Sequence, residues 1–171
     1  MGRLSRSFDV GELLRLRAGE LQTGDFFSLG ADRDAVPSGI ELGYHLCYGS
    51  PKDVHLVQPK DSANIVDMML GIQDAVARPI TFFHIPVPKG RDDDAYFAPL
   101  KQLKLVAGTE FYVGCVHHAD EDGDARRLRK AQKYIQVDGI ASECGWGRSD
   151  PERVPGHLDS YVKAAKLLAG S

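Results

Sequence analysis

The sequence predicts an α/β fold in which helices cover a parallel β-sheet. From Gly39 onward, short apolar runs alternate with longer segments whose apolar residues recur at helical spacing. The short runs are apolar on both faces, which is typical of strands in a parallel sheet. Histidine and cysteine side chains stand at the ends of these runs, where α/β proteins keep their binding sites.

Four strands and four helices are predicted in alternation along the chain. The strands are bounded by glycine, proline or charged residues and cover 39–47, 80–85, 111–117 and 139–144. The helices cover 61–75, 95–103, 124–135 and 150–168. Asp61 or Ser62 is expected to cap the first helix, and Asp124 the third. The last helix carries one apolar stripe of the kind that usually faces a core, formed by Val154, Leu158, Val162, Ala165 and Leu168.

Four strand–helix units are half of a (β/α)₈ barrel, also called a TIM barrel. We therefore predict a partial barrel of this type over 39–171, which would carry the functional site. Residues 1–38 are weakly patterned and are predicted to form an N-terminal helix and loop. An open doubly wound sheet would place the same residues at its strand ends and stays open as an alternative.

Composition excludes several classes of partner. The chain has 171 residues and a net charge of -3, with an isoelectric point near 6.0, so it has no electrostatic footprint for nucleic acid or an anionic membrane. No apolar run approaches the roughly 18 residues that cross a bilayer. The start lacks the apolar region of a secretion signal. We expect a cytoplasmic protein whose three cysteines serve metal binding, catalysis or packing rather than disulfides.

A candidate metal site follows from strand alternation. Residues two apart in a strand point to the same face, so His45 and Cys47 would leave the first strand side by side. Cys144 arrives at the end of the fourth strand. One nitrogen and two sulfurs suit tetrahedral zinc, and three protein ligands leave the fourth position open. His84, at the end of the second strand, could be a fourth ligand or could orient another ligand, while a capping contact near Pro86 is the structural alternative that its position favours.

Other side chains near the strand ends are candidates for substrate binding. Arg91 and Asp93 follow the second strand, although a solvated loop would contain the same residues. Arg148 follows Cys144 closely and could pair with a carboxylate or phosphate. Cys115 lies in the middle of a strand and is predicted to be a core residue.

Three segments together resemble one enzyme family. Gly43-Tyr44-His45-Leu46-Cys47-Tyr48 resembles the His-x-Cys segment of the catalytic barrel of cobalamin-independent methionine synthases. Ser142-Glu143-Cys144-Gly145 resembles the Pro-Asp-Cys-Gly segment of that family. Cys115-Val116-His117-His118 resembles the Asp-Ile-His-Ser segment between them. The segments occur in the family's order, over about residues 39–168.

The resemblance implies the C-terminal half of a (β/α)₈ barrel, within the superfamily that includes uroporphyrinogen decarboxylase-like barrels. It implies a zinc ion that binds an acceptor thiol as thiolate, and transfer of a methyl or other alkyl group to that sulfur. The reaction type would be that of the 5-methyltetrahydropteroyltriglutamate–homocysteine S-methyltransferases of methionine biosynthesis. His117 would then handle a proton or orient the amino group of the acceptor, although a strand-end histidine in contact with water is an equal alternative. The partners would be a small-molecule thiol and a methyl or alkyl donor.

Two departures from the family keep alternatives open. The family's fourth ligand is a glutamate, and its nearest counterparts here are Gln58 and His84. The first four strands of the barrel have no counterpart in this chain. A homodimer or a separate N-terminal half-barrel could complete it, or the chain could be a truncated or non-catalytic remnant. A decarboxylase, or a hydrolase in which the metal activates water, would use the same scaffold.

Overall fold

A four-stranded parallel sheet organises the fold. The structure is a computed structural model, which describes residues 36–37, 39–49, 58–148 and 150–170. The strands are β1 (Gly43–His45), β2 (Phe82–Pro86), β3 (Glu110–Val116) and β4 (Gly139–Ser142). Neighbouring strands are parallel and lie in the order β1-β2-β3-β4. The predicted α/β class with a parallel sheet is confirmed, while closure into a barrel stays a prediction.

Helices connect the strands and follow the last one. They are α1 (Ala63–Ala75), α2 (Asp94–Phe97), α3 (Glu121–Ala131) and α4 (Val154–Ala169). Short 3₁₀ helices span Ala98–Gln102, Trp146–Arg148 and Pro151–Arg153. Because the strand order is sequential and such crossovers are right-handed, α1, α2 and α3 lie on one face of the sheet. A doubly wound sheet needs a reversal of strand order, and the described strands contain none.

The core lies between the sheet and these helices. Alternate residues of the central strands and the inner faces of the helices form it, including Phe83, Ile85, Phe111, Val113, Ile65, Met69, Leu100 and Leu128. Tyr44 of β1 joins this side, since its ring stacks on Phe83 with centroids 5.8 Å apart. The helix-facing side of the two central strands is therefore buried, and that of β1 and β4 is half-buried.

The opposite face of the sheet carries a row of two glycines and two aromatic rings. Phe82 and Tyr112 stack with centroids 5.2 Å apart and an interplanar angle of 13°. The Phe82 ring occupies the space that a Cβ at Gly43 would need, and Tyr112 lies in the same way against Gly139. Both rings are only half-buried. This row, which we call the aromatic face, lies on the side away from the described helices.

Element boundaries differ from the predicted ones where side chains override local pattern. β1 is three residues long, so Cys47 lies beyond the strand rather than within it. The prediction of Asp124 as the cap of α3 is wrong, because Asp120 occupies the N-cap position. Asp124 is instead buried within the helix, where Arg127 pairs with it. For α1 the prediction is accurate to two residues, and the Asp61 carboxylate accepts a hydrogen bond from the Ala63 amide.

The middle of the apolar stripe of α4 faces outward, which corrects the expectation that the stripe faces the core, although Leu168 at its end does pack against the core. Leu158 and Val162 are 51% and 55% exposed. The buried residues of α4 are His157, Ser160 and Ala164. This inner side approaches His118 so closely that a Cβ at Gly156 would lie 2.6 Å from its Nε2. Gly156 and the His157 ring fit against His118, whereas Leu158 and Val162 lie on the outer side of the helix.

The predicted N-terminal helix and loop over residues 1–38 lie almost wholly outside the described residues, so that domain division stays a prediction. Among the described helices, none combines the length and apolar character that a membrane span requires.

Candidate metal centre

The ends of β1 and β4 bring the three predicted ligands together. His45 is the last residue of β1, and Cys144 lies two residues beyond the end of β4. One ligand atom from each of His45, Cys47 and Cys144 lies within 4.8 Å of the other two. The sulfurs of Cys47 and Cys144 are 3.6 Å apart although the residues are 97 positions apart in sequence.

This convergence requires the chain to curve toward the aromatic face. β1 and β4 are three strand spacings apart in the sheet, which is about 14 Å when the sheet is flat. His45 has the same strand parity as Gly43 and therefore points to the side away from the core. The segments after β1 and β4 thus close over the end of this face.

The donor set fits a tetrahedral metal ion. Two zinc–sulfur bonds of about 2.3 Å at a tetrahedral angle hold their sulfurs about 3.8 Å apart, close to the observed 3.6 Å. A disulfide would need about 2.05 Å. The Gly49 amide donates a hydrogen bond to the Cys47 sulfur over 3.2 Å, which holds this sulfur in place. The group could therefore hold a metal ion, and its ligand chemistry suits zinc.

His84 lies behind His45 rather than within the three-residue group. Its Nδ1 is 2.7 Å from Nδ1 of His45, and the two rings stack with centroids 4.6 Å apart. Burial, with a smaller contribution from His45, lowers the pKa of His84 to about 4. At this distance one Nδ1 donates a hydrogen bond and the other accepts it, so the contact couples the tautomers of the two rings. The geometry favours an orienting contact, and direct ligation by His84 stays a prediction.

His117 is buried at the end of β3. Its backbone amide donates to the Asp124 carboxylate over 3.0 Å. Its Nε2 donates to the carbonyl oxygen of Val87 over 2.8 Å, because that oxygen can only accept. Burial, and then the charge of Arg127, lower the pKa of His117 to about 4. At neutral pH the ring is therefore neutral, with a lone pair on Nδ1.

A cavity of about 300 Å³ adjoins the three-residue group, and Cys144 belongs to both. The cavity lies at the ends of β2, β3 and β4, and polar and apolar groups both line it. Its lining residues are Gln58, Pro88, Lys89, Gly90, Val116, His117, His118, Ser142, Glu143, Cys144, Trp146, Arg153 and His157. A ligand in this cavity would reach a sulfur of the candidate metal group.

Part of this wall escaped the sequence analysis. Trp146 stacks on His157 with centroids 5.3 Å apart, and His157 contacts the edge of His118. Sequence alone favours structural roles for isolated residues of this kind, and no motif marks Arg153. For Trp146 and Arg153 the available signal was their position between β4 and α4, and for His118 its position just after β3, since such segments line the sites of parallel α/β proteins.

Arg91 and Asp93 bind each other instead of lining the cavity. Two nitrogens of Arg91 lie 2.7 and 3.1 Å from the two carboxylate oxygens of Asp93. Asp93 also caps α2 by accepting from the Tyr96 amide, and the hydrogen bonds from Arg91 lower the pKa of Asp93. Their predicted contact with substrate stays a prediction. Arg148 ends the 3₁₀ turn after Cys144, and its side chain lies outside the described part of the structure.

A buried ion pair supports the wall of the cavity. Arg127, 1% exposed, pairs with the carboxylates of Asp120 and Asp124. The same guanidinium donates to the carbonyl oxygens of Cys115 and Lys89, over 2.9 and 2.6 Å. One side chain of α3 thus links β3 to the loop after β2, and through Asp124 it also holds the backbone of His117.

Comparison with known proteins supports the fold. No family model and no curated protein matches the chain. A solved structure of a B12-independent methionine synthase from Shewanella sp. W3-18-1, in complex with selenomethionine, superposes with a TM-score of 0.58 at 14% sequence identity. The match covers 85% of this chain and 46% of that chain. At this identity the likeness shows a shared fold, and this chain spans less than half the length of the protein it resembles.

Proposed function

We propose that this chain carries the zinc centre of a thiol alkyltransferase of the methionine synthase type. The observation that carries the proposal is the convergence of His45, Cys47 and Cys144, with sulfurs 3.6 Å apart, beside a cavity that Cys144 also lines. The likeness to a methionine synthase fold supports it. The substrates would be a small-molecule thiol and an activated methyl or alkyl donor.

His45, Cys47 and Cys144 would hold the ion, and the fourth position would be left for the acceptor sulfur. Zinc in this place would lower the pKa of a bound thiol and keep its sulfur nucleophilic at neutral pH. His84 orients His45 through the contact between their Nδ1 atoms. His117 keeps its proton on Nε2, so its Nδ1 can accept a hydrogen bond from a thiol or ammonium group in the cavity.

Metal content tests the first half of this proposal. We expect about one zinc per chain after purification and dialysis. Cys47→Ser and Cys144→Ser should each lose most of this zinc, because a serine hydroxyl is a poor zinc ligand at neutral pH. Cys115→Ser is the matched control, since this sulfur is fully buried and burial raises its pKa to about 12. Zinc content that is equal in all four proteins would disprove the site.

Thiol sensitivity tests the second half. In a cobalt-substituted protein, an added thiol that enters the open position should change the visible spectrum, because charge transfer from a new thiolate adds absorption. A protein that binds cobalt but gives the same spectrum with and without thiols would favour activation of water and a hydrolase.

A further inference from the structure

The aromatic face and the two sheet edges form one continuous surface that no described helix or strand covers. Purely parallel sheets are almost always covered on both faces. The described helices cover one face, and the half-buried rings of Phe82 and Tyr112 lie on the other. β1 and β4 are the outer strands in the described sheet order, and their edges could accept further strands.

Exposed apolar side chains lie beside both edges. Leu158 and Val162 are one turn apart on α4, which packs beside β4. Ile40, 57% exposed, lies just ahead of β1. Among the other large apolar residues exposed in the described part of the chain, Val106 lies at the amino end of β3, away from both edges. The apolar surface is therefore concentrated where a neighbouring α/β layer would pack.

We propose that a second copy of this chain covers this surface and that the two copies close into one eight-stranded parallel barrel. A twofold axis parallel to the strands keeps all strand directions the same. It places β4 of each copy against β1 of the other, so that both edges are satisfied at once. Four strands from each copy give eight, the number at which a parallel barrel closes with a filled interior.

The second copy also fits the remaining features of the surface. The α4 stripe of one copy would lie over the chain that leads into β1 of the other, where Ile40 is exposed. His45 is exposed on the same side as the aromatic face. The copy would therefore shield both metal groups from solvent, and they would face each other across the axis.

The mass of the full chain in solution tests this arrangement. Light scattering behind a sizing column should give twice 18.7 kDa, shifting toward the single-chain mass on roughly hundredfold dilution. The measurement is repeated after treatment with a chelator, since pairing of the edges requires no metal. A single-chain mass at every concentration would overturn the proposal, including the case in which residues 1–35 cover the face. So would an open series of larger assemblies.

A pair of variants tests where the copies meet. Leu158→Glu combined with Val162→Glu places two charges in the α4 stripe and should shift the protein to the single-chain mass at concentrations where the unmodified chain is paired. Val106→Glu is the matched control, because this residue is 62% exposed and lies away from both edges. Circular dichroism checks that both variants stay folded. Equal effects of the two changes would rule out this interface.

Amide hydrogen exchange gives a readout that does not depend on a variant. In the paired protein, the outward amides of β1 and β4 should exchange more slowly at high than at low protein concentration, whereas those of the central strands should not change. Edge amides with the same exchange rate at all concentrations would contradict strand pairing between copies.

Discussion

Residues outside the group of His45, Cys47 and Cys144 determine how its neighbours pack, and Gly114 is the clearest case. A Cβ at this position would lie 2.8 Å from Nε2 of His84 and 2.7 Å from the carbonyl oxygen of Ile85. Both distances are shorter than van der Waals contact. The missing side chain is therefore what allows His84 to lie against β3 and reach His45.

We predict that Gly114→Ala displaces His84 and lowers zinc affinity about tenfold to hundredfold, the usual effect of losing a group that orients a ligand. Competition with a chromogenic chelator measures this. Gly90→Ala is the control, since an added Cβ at Gly90 would meet nothing within 4 Å. Unchanged affinity in Gly114→Ala would show that His84 has no part in metal binding.

His117 makes stability depend on pH. Its pKa is lowered from 6.5 to about 4 in the folded protein. Between these values the unfolded chain binds a proton that the folded protein excludes. The contribution of His117 to the free energy of unfolding should therefore be complete above about pH 6.5. It should fall by up to about 3 kcal/mol as the pH is lowered toward 4. Urea unfolding of chelator-treated protein at several pH values measures this loss.

The variant His117→Gln isolates the contribution of this ring, because glutamine cannot take up a proton in this range. Its stability should fall less between pH 7.5 and 4.5 than that of the unmodified protein. If both proteins lose the same free energy of unfolding over this range, the fold does not prevent protonation of the His117 ring.

Two neighbouring arginines of α3 differ in burial, so we expect them to differ in their contribution to stability. Arg127 is 1% exposed and pairs with the buried carboxylate of Asp124. Arg126, the next residue toward the N-terminus, is 55% exposed and pairs with Asp92. Arg127→Met should cost about 3–5 kcal/mol, because it leaves a buried charge unpaired. Arg126→Met should cost less than about 1 kcal/mol.

Denaturant midpoints compare the two variants directly. Combining Arg127→Met with Asp124→Asn removes the unpaired charge and should recover part of the loss. If the variants at 126 and 127 had equal midpoints, the buried pair would not support β3 and the loop after β2.

The same elements show what sequence can predict and what it cannot. Alternating runs located all four strands, and helical periodicity located α1 to within two residues. The shared end of a parallel sheet brought Cys144 to His45 and Cys47, although Cys47 lies beyond β1 and is not placed by strand parity. These predictions succeed because they depend on local geometry and on the direction of the strands.

The failures involve contacts between distant segments. Helical periodicity shows which residues of α4 share a side but not which side packs, and the close approach of His118 decides that. Asp124 lies where the sequence pattern predicts an N-cap. It is buried within the helix instead, where it accepts a hydrogen bond from the His117 amide and pairs with Arg127. The contact between His45 and His84 joins residues 39 positions apart, and no local pattern reports it.

For the whole molecule, a metal ion bound by this group would link the chain segments that follow the two outer strands of the described sheet. Its sulfurs come from segments 97 positions apart that follow β1 and β4. Because an unfolded chain cannot present these ligands together, binding energy adds to the free energy of folding. We therefore predict that free zinc at about a thousandfold above its dissociation constant stabilises the protein by about 4 kcal/mol.

Thermal or denaturant unfolding with zinc and with a chelator measures this increment. Cys144→Ser should remove it, because the ion can then no longer join the two outer strands. Cys115→Ala should keep it, although the lost core volume makes that variant less stable in both conditions. If zinc stabilised Cys144→Ser as much as the unmodified protein, the stabilising zinc would bind at another site. The metal group would then not link the two outer strands.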